Sequence, residues 1–391
     1  MERIYFNNCL TSKPAPEVID AMLPYLKEKF FFPENFVMNG TDAQEDLDNF
    51  RQIVAESMNA QPDNIHFTSG GTSANNLAIK GYLSANAGKG THVIVSVADY
   101  PDLLANAAFF EKSGFEITYL SVDRDGFINL QELKDAIRED TIMFLTTLAN
   151  HTVGAIQPIK EIRKMLDDSG HKIVMHIDAC EAYARMPIDV EDMGIDLMSI
   201  SAHKFHGPQG VGALYVRKGI TLGPVSHGVV RVDKYETGGV SIANIAGMAK
   251  AVELAFSDFQ QNVGKIKALS AYLLDQIEAK IPYTMLNGPR GEKRVSHNMN
   301  ISFQYIEGEA IMMMMDISGV AVATGSACAS QGLKANYVLM SMGRTHEESH
   351  GSLKFTFSRY NDFHEIDYTV DKLAEIVKEL RKRSPLYNEE N

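Results

Sequence analysis

Asp196-Leu-Met-Ser-Ile-Ser-Ala-His-Lys204, followed at once by Phe205-His-Gly-Pro-Gln-Gly210, is the stretch on which the reading of this chain turns. The apolar run predicts a strand, and the glycine and proline behind it predict the turn that ends it. Ser201, His203 and Lys204 therefore arrive together at a strand end. A lysine in a crevice walled by protein loses hydration, which disfavours its ammonium form. Lys204 is thus a candidate amine nucleophile. The adjacent hydroxyl and imidazole suit an anion, so the cluster reads as a Schiff-base lysine beside a phosphate site.

Outward from this strand, short β-rich runs alternate with helical patterns from about residue 15 to 250, the signature of an α/β fold with a mainly parallel sheet. Predicted strands are 64–68, 92–97, 116–121, 141–145, 172–177, 197–201 and 212–216, most of them near-continuous Val, Ile, Leu and Phe, as burial on both faces requires. Beyond residue 250 the pattern changes to a long helix over 248–280, strands near 299–304, 320–324 and 354–358, and a helix over 365–383. The division expected is a large domain of residues 15–250 and a smaller α+β domain of residues 1–14 and 251–391, with 5–14 as an extended arm. Met312–Met315 is expected to pack in the core of a helix.

The chain has 391 residues and a formal net charge of −13, which opposes nucleic acid and anionic membrane as partners. No apolar run reaches the ~18 residues of a membrane span, and Met1-Glu-Arg-Ile-Tyr5 lacks a signal-peptide pattern, so a cytoplasmic location is expected. Three cysteines, Cys9, Cys180 and Cys328, are too few for a disulfide scaffold and have no zinc-binding spacing; no metal is expected.

Three further constellations carry chemistry. The strand 64–68 runs through Ser69-Gly70-Gly71-Thr72 into a helical pattern, making Gly71 and Thr72 candidates for holding a phosphate at a helix start. The strand 172–177 ends at Asp178, a carboxylate that needs a positive group: a pyridinium nitrogen, an arginine, or the N-terminus of the next helix. Gly325-Ser-Ala-Cys328-Ala-Ser330 places a thiol among small residues, either a nucleophile on a mobile loop or an ordinary small core residue.

Together these pieces resemble the cysteine desulfurases of the NifS/IscS type, within the fold-type I, class V aminotransferase-like pyridoxal phosphate enzymes. The resemblance runs through Pro14–Leu23, Phe67-Thr-Ser-Gly-Gly-Thr72, Ala78-Ile-Lys-Gly81, Gly154-Ala-Ile-Gln-Pro158, His176-Ile-Asp178, Ser201-Ala-His-Lys204, Gly325-Ser-Ala-Cys328 and Ser358-Arg-Tyr360. It implies that Lys204 carries pyridoxal 5′-phosphate and later moves the substrate's α-proton. Asp178 would hold the ring nitrogen, and Thr72, Ser201 and His203 the phosphate. Arg359 would bind the substrate carboxylate, and Asn150, which keeps the first asparagine of a family Asn-Asn-Glu motif, would also face the substrate. Cys328 would take sulfur from L-cysteine as a persulfide, leaving L-alanine, and pass it to an acceptor or scaffold protein. A homodimer is expected.

The sequence departs from the family around the cofactor. Tyr100 stands where the family has a histidine stacked on the ring, Glu181 where a glutamine donates to the phenolic oxygen, and His151 where the motif has its second asparagine. The expectation is a compensation, with His151 pairing with Glu181 and taking over acid–base work. Neutral drift and a changed reaction, such as that of a selenocysteine lyase, another carbon–sulfur lyase or an aminotransferase, remain open. Glu236-Thr237-Gly238-Gly239 replaces the family's Arg-Ser-Gly-Thr, which puts an intersubunit phosphate contact in doubt. Cys9 and Cys180 read as packing residues.

Overall fold

A computed structural model describes residues 3–33, 38–239, 241–324 and 335–387, with backbone alone at residues 38, 39, 41, 230–233 and 236. Its strands in chain order are β1 (Ile4–Tyr5), β2 (Ile65–Thr68), β3 (His92–Ser96), β4 (Glu116–Leu120), β5 (Thr141–Thr147), β6 (Val174–Asp178), β7 (Leu197–Ser201), β8 (Gly212–Val216), β9 (Val230–Asp233), β10 (Glu236–Thr237), β11 (Thr284–Asn287), β12 (Asn298–Phe303), β13 (Val320–Ala321), β14 (Ala323–Thr324) and β15 (Ser352–Thr356).

Seven strands form one sheet in the order β2-β8-β7-β6-β5-β3-β4. β8 runs antiparallel to both its neighbours, and every other adjacent pair is parallel. Helices cover the sheet, so β2, β3 and β5 to β8 are buried along their whole length. That explains why their sequences are apolar without alternation. Because all strands but β8 point the same way, the carboxyl ends of β2, β3, β5, β6 and β7 converge on one edge.

A second sheet, β11-β12-β15-β14, is antiparallel. With the Phe259–Lys280 and Phe363–Arg383 helices it builds a separate apolar cluster around Leu269, Leu273, Phe303, Phe355, Leu373 and Val377. The helix expected over 248–280 is instead two helices, Ile242–Ser257 and Phe259–Lys280, separated at Asp258, whose backbone (φ −124°, ψ 36°) leaves the helical region. The first buries Ile245, Met248 and Val252 against the large core, and the second buries Leu269, Leu273 and Ile277 in the small one. One straight helix cannot aim its apolar stripe at both, so the chain passes from one core to the other at this break. Met312–Met315 lie on the Gly308–Ile317 helix; Met315 is buried but Met313 is 61% exposed. Four consecutive helical residues cannot share one face, so only part of the run serves the core.

The N-terminal arm crosses between the two cores. β1 pairs with β13, Asn7 bridges to Thr356, and Ser12 receives and gives hydrogen bonds at the β7 turn, its N–H and hydroxyl both donating to the His203 carbonyl (2.8 and 2.7 Å). Among the described residues no helix is long and apolar enough to cross a membrane.

Gly212, at the start of β8, sits under the glycine turn that follows β2. A Cβ there would lie 2.5 Å from the Ile200 carbonyl oxygen and 2.8 Å from the Gly70 carbonyl carbon, both backbone. Gly212→Ala is expected to destabilise the protein by about 1–3 kcal/mol, read as a lower urea midpoint at unchanged slope.

Candidate active site

At the carboxyl edge of the large sheet lies a cleft. Gly71, Thr72 and Asn75 line it from the first turns of the Gly71–Asn86 helix, Tyr100 and Asp102 from the chain after β3, and Thr147 and Ala149 from the end of β5. Asp178, Cys180 and Glu181 come from the end of β6, and Ser201, His203 and Lys204 from the end of β7. Open α/β sheets place ligand sites at such ends. Gly70 adopts φ +150° to enter the helix, and a Cβ on Gly71 would lie 2.7 Å from the Cys180 sulfur. Only glycine brings the backbone N–H groups of the helix start this close to β6 and β7.

Asp178 is buried, yet its hydrogen-bond donors are both neutral: the Asn75 amide to Oδ2 (2.8 Å) and the Cys180 N–H to Oδ1 (2.9 Å). Burial raises its pKa above the ordinary carboxylate value. Asn75 is itself held by His176, whose Nε2 donates to its carbonyl oxygen at 3.0 Å. The His176–Asn75–Asp178 chain thus presents a carboxylate without a cationic partner among the described residues. His203 adds a buried Nδ1 that has no partner among the described residues.

Lys204 is 7% exposed, and its Nζ meets Glu181 Oε1 at 2.7 Å and the Cys9 carbonyl. Glu181 also faces Arg185 at 3.7 Å and His297 Nε2 at 3.3 Å. Arg185 donates back to the Lys204 carbonyl. Burial works to lower the Lys204 pKa, but Glu181, with Cys9 and Tyr100, holds it above the ordinary lysine value. Burial works to raise Glu181, but Lys204, His297 and Arg185 hold it well below the carboxylate range. This corrects the expectation of a lysine neutralised by desolvation: in this arrangement Lys204 is an ammonium paired with an ionised Glu181.

The Asp178 carboxylate, without a cation among the described residues, the glycine cradle with the open His203 nitrogen, and a buried lysine amine fit the ring nitrogen, phosphate and aldehyde of pyridoxal phosphate respectively. The class V aminotransferase family matches residues 4–369. The chain belongs to that family. Its members depend on pyridoxal phosphate. The chain is 41% identical over 386 residues to a protein named cysteine desulfurase IscS from Dictyoglomus turgidum, covering 99% of this chain and 97% of the relative. It is 39% identical to one of the same name from Methanosarcina thermophila, covering 98% and 94%. Among solved structures, a NifS-like protein superposes with a TM-score of 0.91 at 27% identity, covering 97% of this chain and all of that one. A structure of SspA in complex with cysteine does so at 0.79 and 27%, covering 92% and all of that chain.

Against this family background the departures have a geometry. The expected pairing of His151 with Glu181 is absent. His151 Nε2 lies 3.3 Å from the Tyr337 hydroxyl, its ring meets Tyr100 edge-on at 5.0 Å, and its buried Nδ1 has no partner among the described residues. Burial, with Lys354 nearby, lowers its pKa to about 3. Glu181 takes His297 instead, because the loop before β12 reaches it first. Tyr100 precedes the Pro101–Lys112 helix, and burial pushes its hydroxyl to about 12. Asn150 does not line the cleft: its side chain donates to the Ala98 carbonyl and accepts from the Thr152 and Val153 N–H groups, holding a turn.

Arg359 is turned away from the cleft, donating to the Leu254 carbonyl (2.8 Å) and the Tyr360 hydroxyl (3.1 Å). It lines an adjacent hollow that shares Lys204, Arg185 and His206. Cys328 lies outside the described residues. Cys9 and Cys180 are buried free thiols, and burial with Asp178 pushes Cys180 well above its ordinary pKa. Asn75, Arg185, His297 and Tyr337 escaped the sequence reading. Arg185 had a signal, its charge four residues after Glu181, although the segment folds as turns and not as a helix; His297 had none, since 116 residues separate it from Glu181.

His176 and His297 are fully buried, and burial lowers each to about 3. In the unfolded chain they titrate near 6.5, so between about pH 6.5 and pH 3 the unfolded state binds more protons. Their contribution is complete above pH 6.5 and lost as pH falls. The melting temperature should therefore drop steeply below pH 6, and His176→Gln should flatten that slope.

Proposed function

We propose that the protein is a pyridoxal phosphate-dependent cysteine desulfurase, converting L-cysteine to L-alanine and leaving the sulfur on Cys328 as a persulfide. The observation that carries this reading is the buried Asp178 carboxylate, held by Asn75 and lacking a cation, opposite the Lys204 amine in one cleft. The names of the full-length relatives, and the cysteine bound to SspA, support the substrate.

Bound pyridoxal phosphate supplies an electron sink for negative charge at carbon. The chain's own residues do the rest. Gly71, Thr72, Ser201 and His203 hold the phosphate, and Asp178 keeps the ring nitrogen protonated. Lys204 Nζ moves the proton at the substrate α-carbon. Arg359 exchanges the Leu254 carbonyl for the substrate carboxylate, a planar anion suited to its fork. The Cys328 thiolate attacks the substrate sulfur: an S–S bond forms, the carbon–sulfur bond breaks, and the carbon takes up a proton to end as the methyl group of alanine.

Tyr337, later in the chain than Cys328, donates from its hydroxyl to the Asp99 carbonyl (2.6 Å) beside Tyr100. The persulfide passes to an acceptor protein. The apolar side chains left exposed on and after the Pro16–Lys27 helix, Ile19, Leu26, Phe30 and Phe32 among them, support a homodimer that covers them.

Cys328→Ser is expected to abolish alanine formation from cysteine while leaving the cofactor's visible absorption intact. Arg359→Lys should raise KM for cysteine at least tenfold with the same absorption. Pyruvate rather than alanine as product would instead mark a carbon–sulfur lyase.

A further inference from the structure

The Lys204–Glu181 pair has a consequence that rests on the cofactor assignment above and goes beyond it. Lys204 Nζ is the atom that must become the nitrogen of a C=N link to the cofactor aldehyde. Its nearest charged neighbour is a carboxylate at 2.7 Å, inside protein, where the pair is poorly screened. Glu181 is not free to leave. Its second oxygen faces Arg185 and His297, and its backbone carbonyl accepts from Arg185 as well. A glutamine in this place, as the family has, would hold no charge.

We infer that Glu181 is a resident counter-ion for the Lys204 nitrogen, holding it protonated both as the free amine and after the cofactor has joined it, with Arg185 and His297 as the residues that position the carboxylate. Capture would then require Lys204 to give up one proton, its Nζ to bond to the aldehyde carbon with loss of one water, and one proton to return for the product nitrogen to be charged. The counter-ion makes the first of these steps costly near neutral pH and favours the protonated form of the product. Glu181 acts through Lys204 and is a positioning residue.

The other groups bearing on the pair are few. Cys9 and Tyr100 bear on Lys204 directly. Tyr5, His151, Cys180 and His203 feel its charge, from the arm and from the turns after β5, β6 and β7. His151, His203 and His297 are neutral above pH 5, since burial lowers them to about 3, 4 and 3. Asp178 is committed to Asn75 and the Cys180 N–H. Glu181 is thus the carboxylate in contact with Nζ.

The test strips the purified protein of cofactor, adds pyridoxal phosphate, and follows the borohydride-sensitive visible band for wild type and Glu181→Gln from pH 6 to 10. The expected result is capture at least tenfold faster in Glu181→Gln at pH 7. In the loaded protein, the long-wavelength form should give way to the short-wavelength form at least about one pH unit lower than in wild type. Identical pH profiles in the two proteins, with normal bands, would overturn the counter-ion while leaving the cofactor assignment intact. No borohydride-sensitive band in either protein would overturn both. If Glu181→Gln fails to fold, wild type alone decides: capture must keep accelerating beyond about pH 9, and a plateau below pH 8 would exclude a carboxylate-held ammonium.

Discussion

A lysine amine with 7% of its surface exposed cannot stay charged without a counter-charge, and in this protein the elements that meet around Lys204 supply one. β7 and its turn bring the lysine to the edge of the large sheet. The end of β6 brings Glu181, with Arg185 four residues on. The loop before β12 brings His297 from the small sheet, and the N-terminal arm brings the Cys9 carbonyl. Two cores and the arm are therefore tied at one nitrogen. The contact between the domains is part of the site's electrostatics as well as of its packing.

The same logic orders the opposite wall of the cleft. Asp178 is as buried as Lys204, but its neighbours are neutral donors, so its charge is left for a ligand to meet. Asn75 takes its orientation from His176, a histidine that burial keeps uncharged and whose Nε2 donates to the Asn75 carbonyl oxygen. The cleft is built asymmetrically, with one carboxylate fully paired and one unpaired. That difference, rather than the number of charges, supports our assignment of Asp178 to the cofactor's ring nitrogen and of Glu181 to the lysine.

Much of the fold is legible in the chain. The seven strands of the large sheet begin and end within about two residues of the apolar runs that predict them. They do so because a strand buried on both faces has little freedom in composition. What sequence pattern could not carry was the break at Asp258, since the local spacing is helical on both sides and only the presence of two separate cores turns the chain. The methionine run misled for a similar reason: composition says apolar, whereas the turn of the helix exposes Met313.

Of the site, Lys204, Asp178, Ser201, His203 and the Gly71–Thr72 turn were determined by the sequence itself, because each sits at the end of a strand whose local pattern announces it. The sequence also determined that a carboxylic acid stands at position 181. Tertiary structure alone decided what that carboxylate does, because its partners are chosen by distance in space. His297 lies 116 residues away in the chain, yet at 3.3 Å it is the histidine that Glu181 meets, while His151 turns to Tyr337 and Tyr100. Local periodicity specifies which residues reach the edge of the sheet, but the charge each one carries there depends on which others are buried beside it.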